Sequence, residues 1–177
     1  MTRDEGRNDM DILEASTDWA RAELLSNGLF LLFGTMFVVG GLCLSRQGGT
    51  EMARAFVVPT LVAGVLLVIL GGGLLFGTWK HLSGFDAAIA RDAAGFVAAE
   101  TARVEATMAQ YATAVFSVMP VMTAVFALMI VVLHGPGWRA ALITAIVFLG
   151  VVMLVDSTAR ARLAAYKDRL LQVSSVS

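Results

Sequence analysis

Four long stretches of this chain carry no Asp, Glu, Lys or Arg, and they decide the environment in which it can fold. They lie between Glu23 and Arg46, from Ala55 to Trp79, from Ala106 to Trp138 and from Ala140 to Val155. A bilayer core of about 30 Å takes about 20 mostly apolar residues at about 1.5 Å each. Three stretches meet that length outright, and the fourth meets it with its interfacial ends. The expected transmembrane helices are 24–44, 56–79, 112–133 and 138–159. The chain is 58% hydrophobic and 15% charged, where a soluble domain is nearer about 45–50% and about 25%. The expectation is therefore a single all-α integral membrane domain over 1–177, four helices running up and down.

Charge sets the orientation and excludes one class of partner. A formal net charge of −1 gives no basic face for nucleic acid. The first 23 residues hold seven acids against three arginines, the opposite of a positive signal-peptide start, so the first span is expected to stay in the membrane. Ten Lys and Arg residues fall in the N-terminal, central and C-terminal segments, and three (Arg46, Arg54, Arg139) in the two short loops. By the positive-inside rule both termini are cytoplasmic. Trp19 and Trp79 then fall at the inner interface and Trp138 at the outer one, where amphipathic rings prefer to sit. The lone cysteine, Cys43, makes no intramolecular disulfide and no thiolate metal cluster.

Between the spans the pattern is amphipathic. Residues 1–10 are polar and expected to fray. Residues 11–25 place Ile12, Ala15, Trp19 and Ala22 on one face, a helix that lies on the membrane or runs into the first span. Ser45–Gly49 is a tight loop, Thr50 suits a cap and Glu51 the first turn of the next helix. The segment 80–111 is too charged to span. His81–Gly84 breaks the chain after span two, and Asp86 is the expected cap of a cytoplasmic helix. Its stripe is Ala90, Ala94, Val97, Thr101, Val104, Met108 and Tyr111, with steps of three and four. The partner of that stripe is the C-terminal tail, a second copy or another protein. Glu100, Arg103 and Glu105 read as a solvated, salt-bridged face, with Glu100 and Arg103 spaced for an i,i+3 pair. The tail, 160–177, carries a further stripe of Leu163, Tyr166, Leu170 and Val173 and is basic where the N-terminal segment is acidic. The two can pack together, and such exposed charge pairing is usually worth little.

Within the spans, Pro59 and Pro120 each remove a backbone hydrogen bond, to the carbonyls of Ala55 and Phe116, and are the candidate bends. Thr113, Ser117 and Thr123 can re-satisfy freed backbone groups, and Met119, Met122 and Met129 give an adaptable surface. Gly71, Gly72, Gly73 and Gly77 form a smooth surface suited to close helix approach or to a hinge. Asn27 can hold helices together from the inner end of span one. Asp156, at the inner end of span four, is expected to snorkel and pair with Arg160.

No catalytic motif or cysteine cluster is present in the sequence, and no catalytic, cofactor or metal residue is expected. His81 and His134 stand at opposite interfaces, about 30 Å apart, too far to share a metal. No charged residue lies in mid-membrane, which weighs against proton coupling. The expected function is non-enzymatic: a small bacterial inner-membrane subunit or accessory factor, an immunity-like protective protein included. Its partners are the lipid bilayer and another membrane protein or further copies of itself. The contact candidates are Val97, Thr101, Val104, Met108, Tyr111, Asp156 and Asn27. The alternative is a homo-oligomeric channel or transporter with a kinked third span. An enzyme would have to draw on Asp156, Glu100 or His81.

Overall fold

A computed structural model describes residues 3–174 along the backbone, and side chains 10–85 and 87–172. Every element in it is helical: α1 (Arg3–Gln47), α2 (Glu51–Ala55), α3 (Val57–Leu82), α4 (Phe85–Arg91), α5 (Ala93–Thr113), a π-helical turn (Ala114–Val118), α6 (Met119–Val132) and α7 (Pro136–Ser174). Four stretches of helix are long and apolar enough to cross a membrane. They include all four expected spans except Leu133, which caps the end of the third.

The expected punctuation marks the helix ends. Thr50 caps α2, its side-chain oxygen accepting from the Ala53 N–H at 3.1 Å, with Glu51 in the first turn. The helix is interrupted at Phe56, between α2 and α3, three residues before Pro59 and inside the turn that its missing N–H would have closed. Ahead of Pro120, the helix widens into a π turn in which the Met119 N–H reaches the Ala114 carbonyl. That is the form the expected irregularity takes. The hydroxyls of Thr113 and Thr123 donate to Ala109 and Met119, not to the freed Phe116 carbonyl.

Three local expectations are corrected. The N-terminal segment is helical from Arg3 and not frayed, and of the two expected arrangements the helix takes the second, running into span one without a break from Arg3 to Gln47. The central segment is two helices. Asp92 sits in extended backbone between them and caps α5 by accepting from the Gly95 N–H at 2.9 Å, while the side chain of Asp86 lies outside the described residues. The break shifts the face that is buried, so Ala90 and Ala94 are exposed and Phe85 and Ile89 are buried instead.

The helices pack in two layers around α1 and α7. In the apolar layer α1 lies between α3 and α7, and α6 packs on α7. Its core is Phe30, Leu67, Val151, Val152 and Val155. In the second layer the N-terminal half of α1, the helices α4 and α5 and the C-terminal half of α7 enclose Ile12, Trp19, Phe85, Val97, Val104 and Leu163. At about 1.5 Å per residue, the 45 residues of α1 reach about 67 Å, twice what a bilayer core requires. The two tails therefore pack together as the continuation of the spans.

The close approach of α1 and α3 rests on four glycines. A β-carbon at Gly34 would stand 2.9 Å from the Val68 nitrogen, one at Gly64 2.8 Å from the Val38 nitrogen, and one at Gly71 2.8 Å from the Phe30 β-carbon, while Gly41 presses on Leu61. Gly72, Gly73 and Gly77 face open space. The seam is thus Gly34 and Gly41 against Gly64 and Gly71, spaced by seven in each helix, and the run Gly71–Gly77 meets it only at Gly71. Lipid supplies no hydrophobic drive between helices, so in a bilayer this close backbone approach would carry much of the association.

Candidate functional site

The most concentrated polar chemistry lies where the two layers meet, and it centres on Glu100. The spacing Val97–Glu100–Val104 puts the carboxylate on the buried stripe of α5, and Glu100 is only 3% exposed. This corrects the expectation of a solvated face for Glu100, while Glu105 is exposed and ion-paired as expected. The i,i+3 pair is present: Arg103 donates through Nη2 to Oε1 at 2.6 Å and through Nε to Oε2 at 2.9 Å. His81, at the end of α3, stands with Nε2 3.3 Å from Oε2. The Tyr166 hydroxyl, from α7, donates to Oε1 at 3.3 Å. Four helices meet on this group, because Ser16 of α1 is hydrogen-bonded to the same tyrosine hydroxyl at 2.9 Å. Burial pushes the Glu100 carboxyl up, but the Arg103 and His81 contacts more than reverse it and hold it below the usual carboxylate range.

Aromatic rings frame the network. Trp19 stacks on Tyr166 with centroids 5.0 Å apart and planes 14° from parallel, and the Arg103 guanidinium lies 5.0 Å from the Trp19 ring centroid. His81 meets Phe85 edge-on at 4.9 Å, and Phe85 meets Phe96 at 5.6 Å. Nearby, Arg162 donates to the Ala22 carbonyl at 2.7 Å and to the Ser26 hydroxyl, tying α7 to α1. At the exposed end, Lys167 and Glu105 form an ion pair at 2.5 Å and Arg169 lies 3.8 Å from Asp18.

The residues singled out from the sequence fall in three places. Val97, Val104, Met108 and Tyr111 pack into this chain's own bundle core. Thr101 is half-buried with an unpartnered hydroxyl. From Val97 onward the stripe is therefore covered by the same chain, chiefly by α7. Asn27, 3% exposed, donates to the Thr78 hydroxyl at 3.2 Å and links α1 to α3. Asp156 makes no ion pair among the described residues, and Arg160 instead lies with its guanidinium 4.9 Å from the Phe116 ring centroid. Val173 lies outside the described side chains. Ser16, Trp19, Tyr166 and Arg162 were not singled out as site residues. Their signal was visible only in part: Trp19 and Tyr166 both sit on stripes, and nothing local shows that the stripes face each other.

Two cavities flank the network, of about 530 Å³ and about 370 Å³, and share Gly77, His81 and Arg103 in their walls. Among the described residues no group of three or more His, Cys, Asp or Glu side chains is placed to hold a metal ion. The chain matches no family model, no curated protein and no solved structure.

Proposed function

We propose that this chain is a multipass inner-membrane protein that works through protein–protein contact, as a subunit or accessory factor of a membrane assembly, with both termini cytoplasmic and the four spans running up and down. A protective, immunity-like factor is one form of this role. The observation that carries the reading is the state of α6. It contributes no buried residue, its principal neighbour is α7, and Val121, Met122, Val125, Leu128, Met129 and Val132 are all exposed. Two methionines on that face suit a partner surface that must adapt. The other three spans are engaged with one another, so the third is the one left free to dock.

Tagged protein, purified in mild detergent from cells at native expression, tests this by mass spectrometry of the eluate and mass determination of the particle. A stoichiometric foreign subunit, lost in a Val125→Trp variant that still elutes as a folded protein, supports the proposal. A homo-oligomer without a partner overturns it in favour of the channel or transporter reading, and ion flux in liposomes then becomes the deciding assay.

A further inference from the structure

The π turn before Pro120 changes which face of the third span meets α7. Up to the turn, the buried stripe of α5 runs through Val97, Glu100 and Val104 and ends on Val115, which is 1% exposed. Continued as unbroken α-helix, in steps of three and four, that stripe passes through Val118, Met122, Val125 and Met129. All four are exposed. The half-buried positions are instead Met119, Thr123, Phe126 and Ile130, each one residue further on, and Met119 packs against the core that holds Val151 and Val155. The extra residue is taken up in the turn, where the Met119 N–H reaches back five residues to the Ala114 carbonyl. One residue is about 100° of α-helix, so the turn has swung α6 by about that angle.

Either face can pack on α7. The outward one is apolar throughout, and its two methionines adapt to an irregular neighbour. The inward one has a single polar side chain, Thr123, whose hydroxyl donates to the Met119 carbonyl of its own helix at 2.9 Å. It stays satisfied when turned to lipid. The α5 side of the turn is fastened, by buried Val115 and by the Arg160 guanidinium of α7, which lies 4.9 Å from the Phe116 ring centroid. The α6 side is not: none of its side chains is fully buried. Pro120 holds the present arrangement, because in a regular α-turn its ring would clash with the Phe116 carbonyl, and the wider turn relieves that clash. Single π turns inside α-helices frequently mark functional sites.

We propose that the π turn is a register switch, with a second setting in which it closes to an α-turn and Val118, Met122, Val125 and Met129 replace Met119, Thr123, Phe126 and Ile130 against α7. Closing it withdraws the docking face of α6, a consequence that rests on the partner reading above. The register itself is measured without a partner, so the two ideas fail separately. The test is NMR of 13C-labelled methionine methyl groups in the detergent-purified full chain, with dissolved oxygen to broaden the exposed methyls. The signals of Met119, Met122 and Met129 are assigned by replacing each with Leu. In the unaltered protein Met122 and Met129 should broaden more than Met119, and each should show a weaker second signal that oxygen spares. Pro120→Ala, its fold verified by helical circular dichroism, should make the spared signal the major one and expose Met119. Deletion of Ser117 removes the extra residue, so it should abolish the second signal and leave Met122 exposed. The lack of any second Met122 signal in the unaltered protein would overturn the proposal, whether or not Pro120→Ala folds. So would an unchanged oxygen pattern in folded Pro120→Ala, or a second signal that survives the deletion.

Discussion

Glu100 concentrates more interactions than any other side chain described. It is buried, yet its charge is matched by a bidentate guanidinium, a tyrosine hydroxyl and a histidine from different helices. Removing one partner from such a group leaves the others unsatisfied, which is costlier than never having built the pair. Glu100→Ala is expected to lower stability by about 1–3 kcal/mol, at the modest end because Arg103 is 36% exposed, measured as thermal unfolding in detergent. The pH dependence has a definite sign. The folded carboxyl titrates below its ordinary value of 4.5, so as pH falls the unfolded chain takes up the proton first. The stabilisation is complete above the ordinary carboxylate value and is lost as pH falls through the lower, folded value. Glu100→Gln should flatten that acid limb of the unfolding profile, and an unchanged acid limb would contradict the assignment. Asn27 works on a smaller scale: its bond to Thr78 is of the kind worth about 0.6 kcal/mol between membrane helices.

Among the elements, the pairing of α1 with α3 is the most sharply specified. Gly34 and Gly64 sit against each other's backbone, with the Gly34 carbonyl 2.9 Å from a β-carbon at Gly64. Backbone cannot rotate away as a side chain can, so Gly64→Val must separate the helices and should cost about 1–3 kcal/mol. Gly72→Val, which points into open space, should stay within about 0.5 kcal/mol. Comparing the two unfolding temperatures separates a specific seam from a general preference for small residues. The same pair shows what the sequence could reveal. A span announces itself through local hydropathy, and the proline irregularities through a missing N–H, so both were legible. Which glycines touch depends on helix rotation, and a contiguous run drew attention away from the seven-residue spacing of Gly34–Gly41 and Gly64–Gly71. Asp92 as a cap was not legible, because a polar residue on an exposed face and a cap look alike until the backbone is seen. The burial of Glu100 was encoded in its spacing from Val97 and Val104, but only the meeting of α5 with α1 and α7 turns that spacing into a closed site.

Taken whole, the molecule is an apolar helical layer extended by a polar bundle of the same helices. The proposed orientation predicts that Gly49→Cys, made with Cys43→Ser, reacts with an impermeant maleimide on intact cells. Arg91→Cys in the same background should react only after permeabilisation. The reverse labelling pattern would invert the topology. The helices also differ in continuity. α1 and α7 pass through both layers without a break, whereas the other two strands of the bundle are interrupted at Phe56, between Leu82 and Phe85, at Asp92 and at the π turn before Pro120. Two unjointed rods fastened to each other by Arg162 and by the Trp19–Tyr166 stack make a rigid chassis. The segmented helices hang on it like limbs with fixed elbows. Bending is therefore expected at those interruptions and not within α1 or α7.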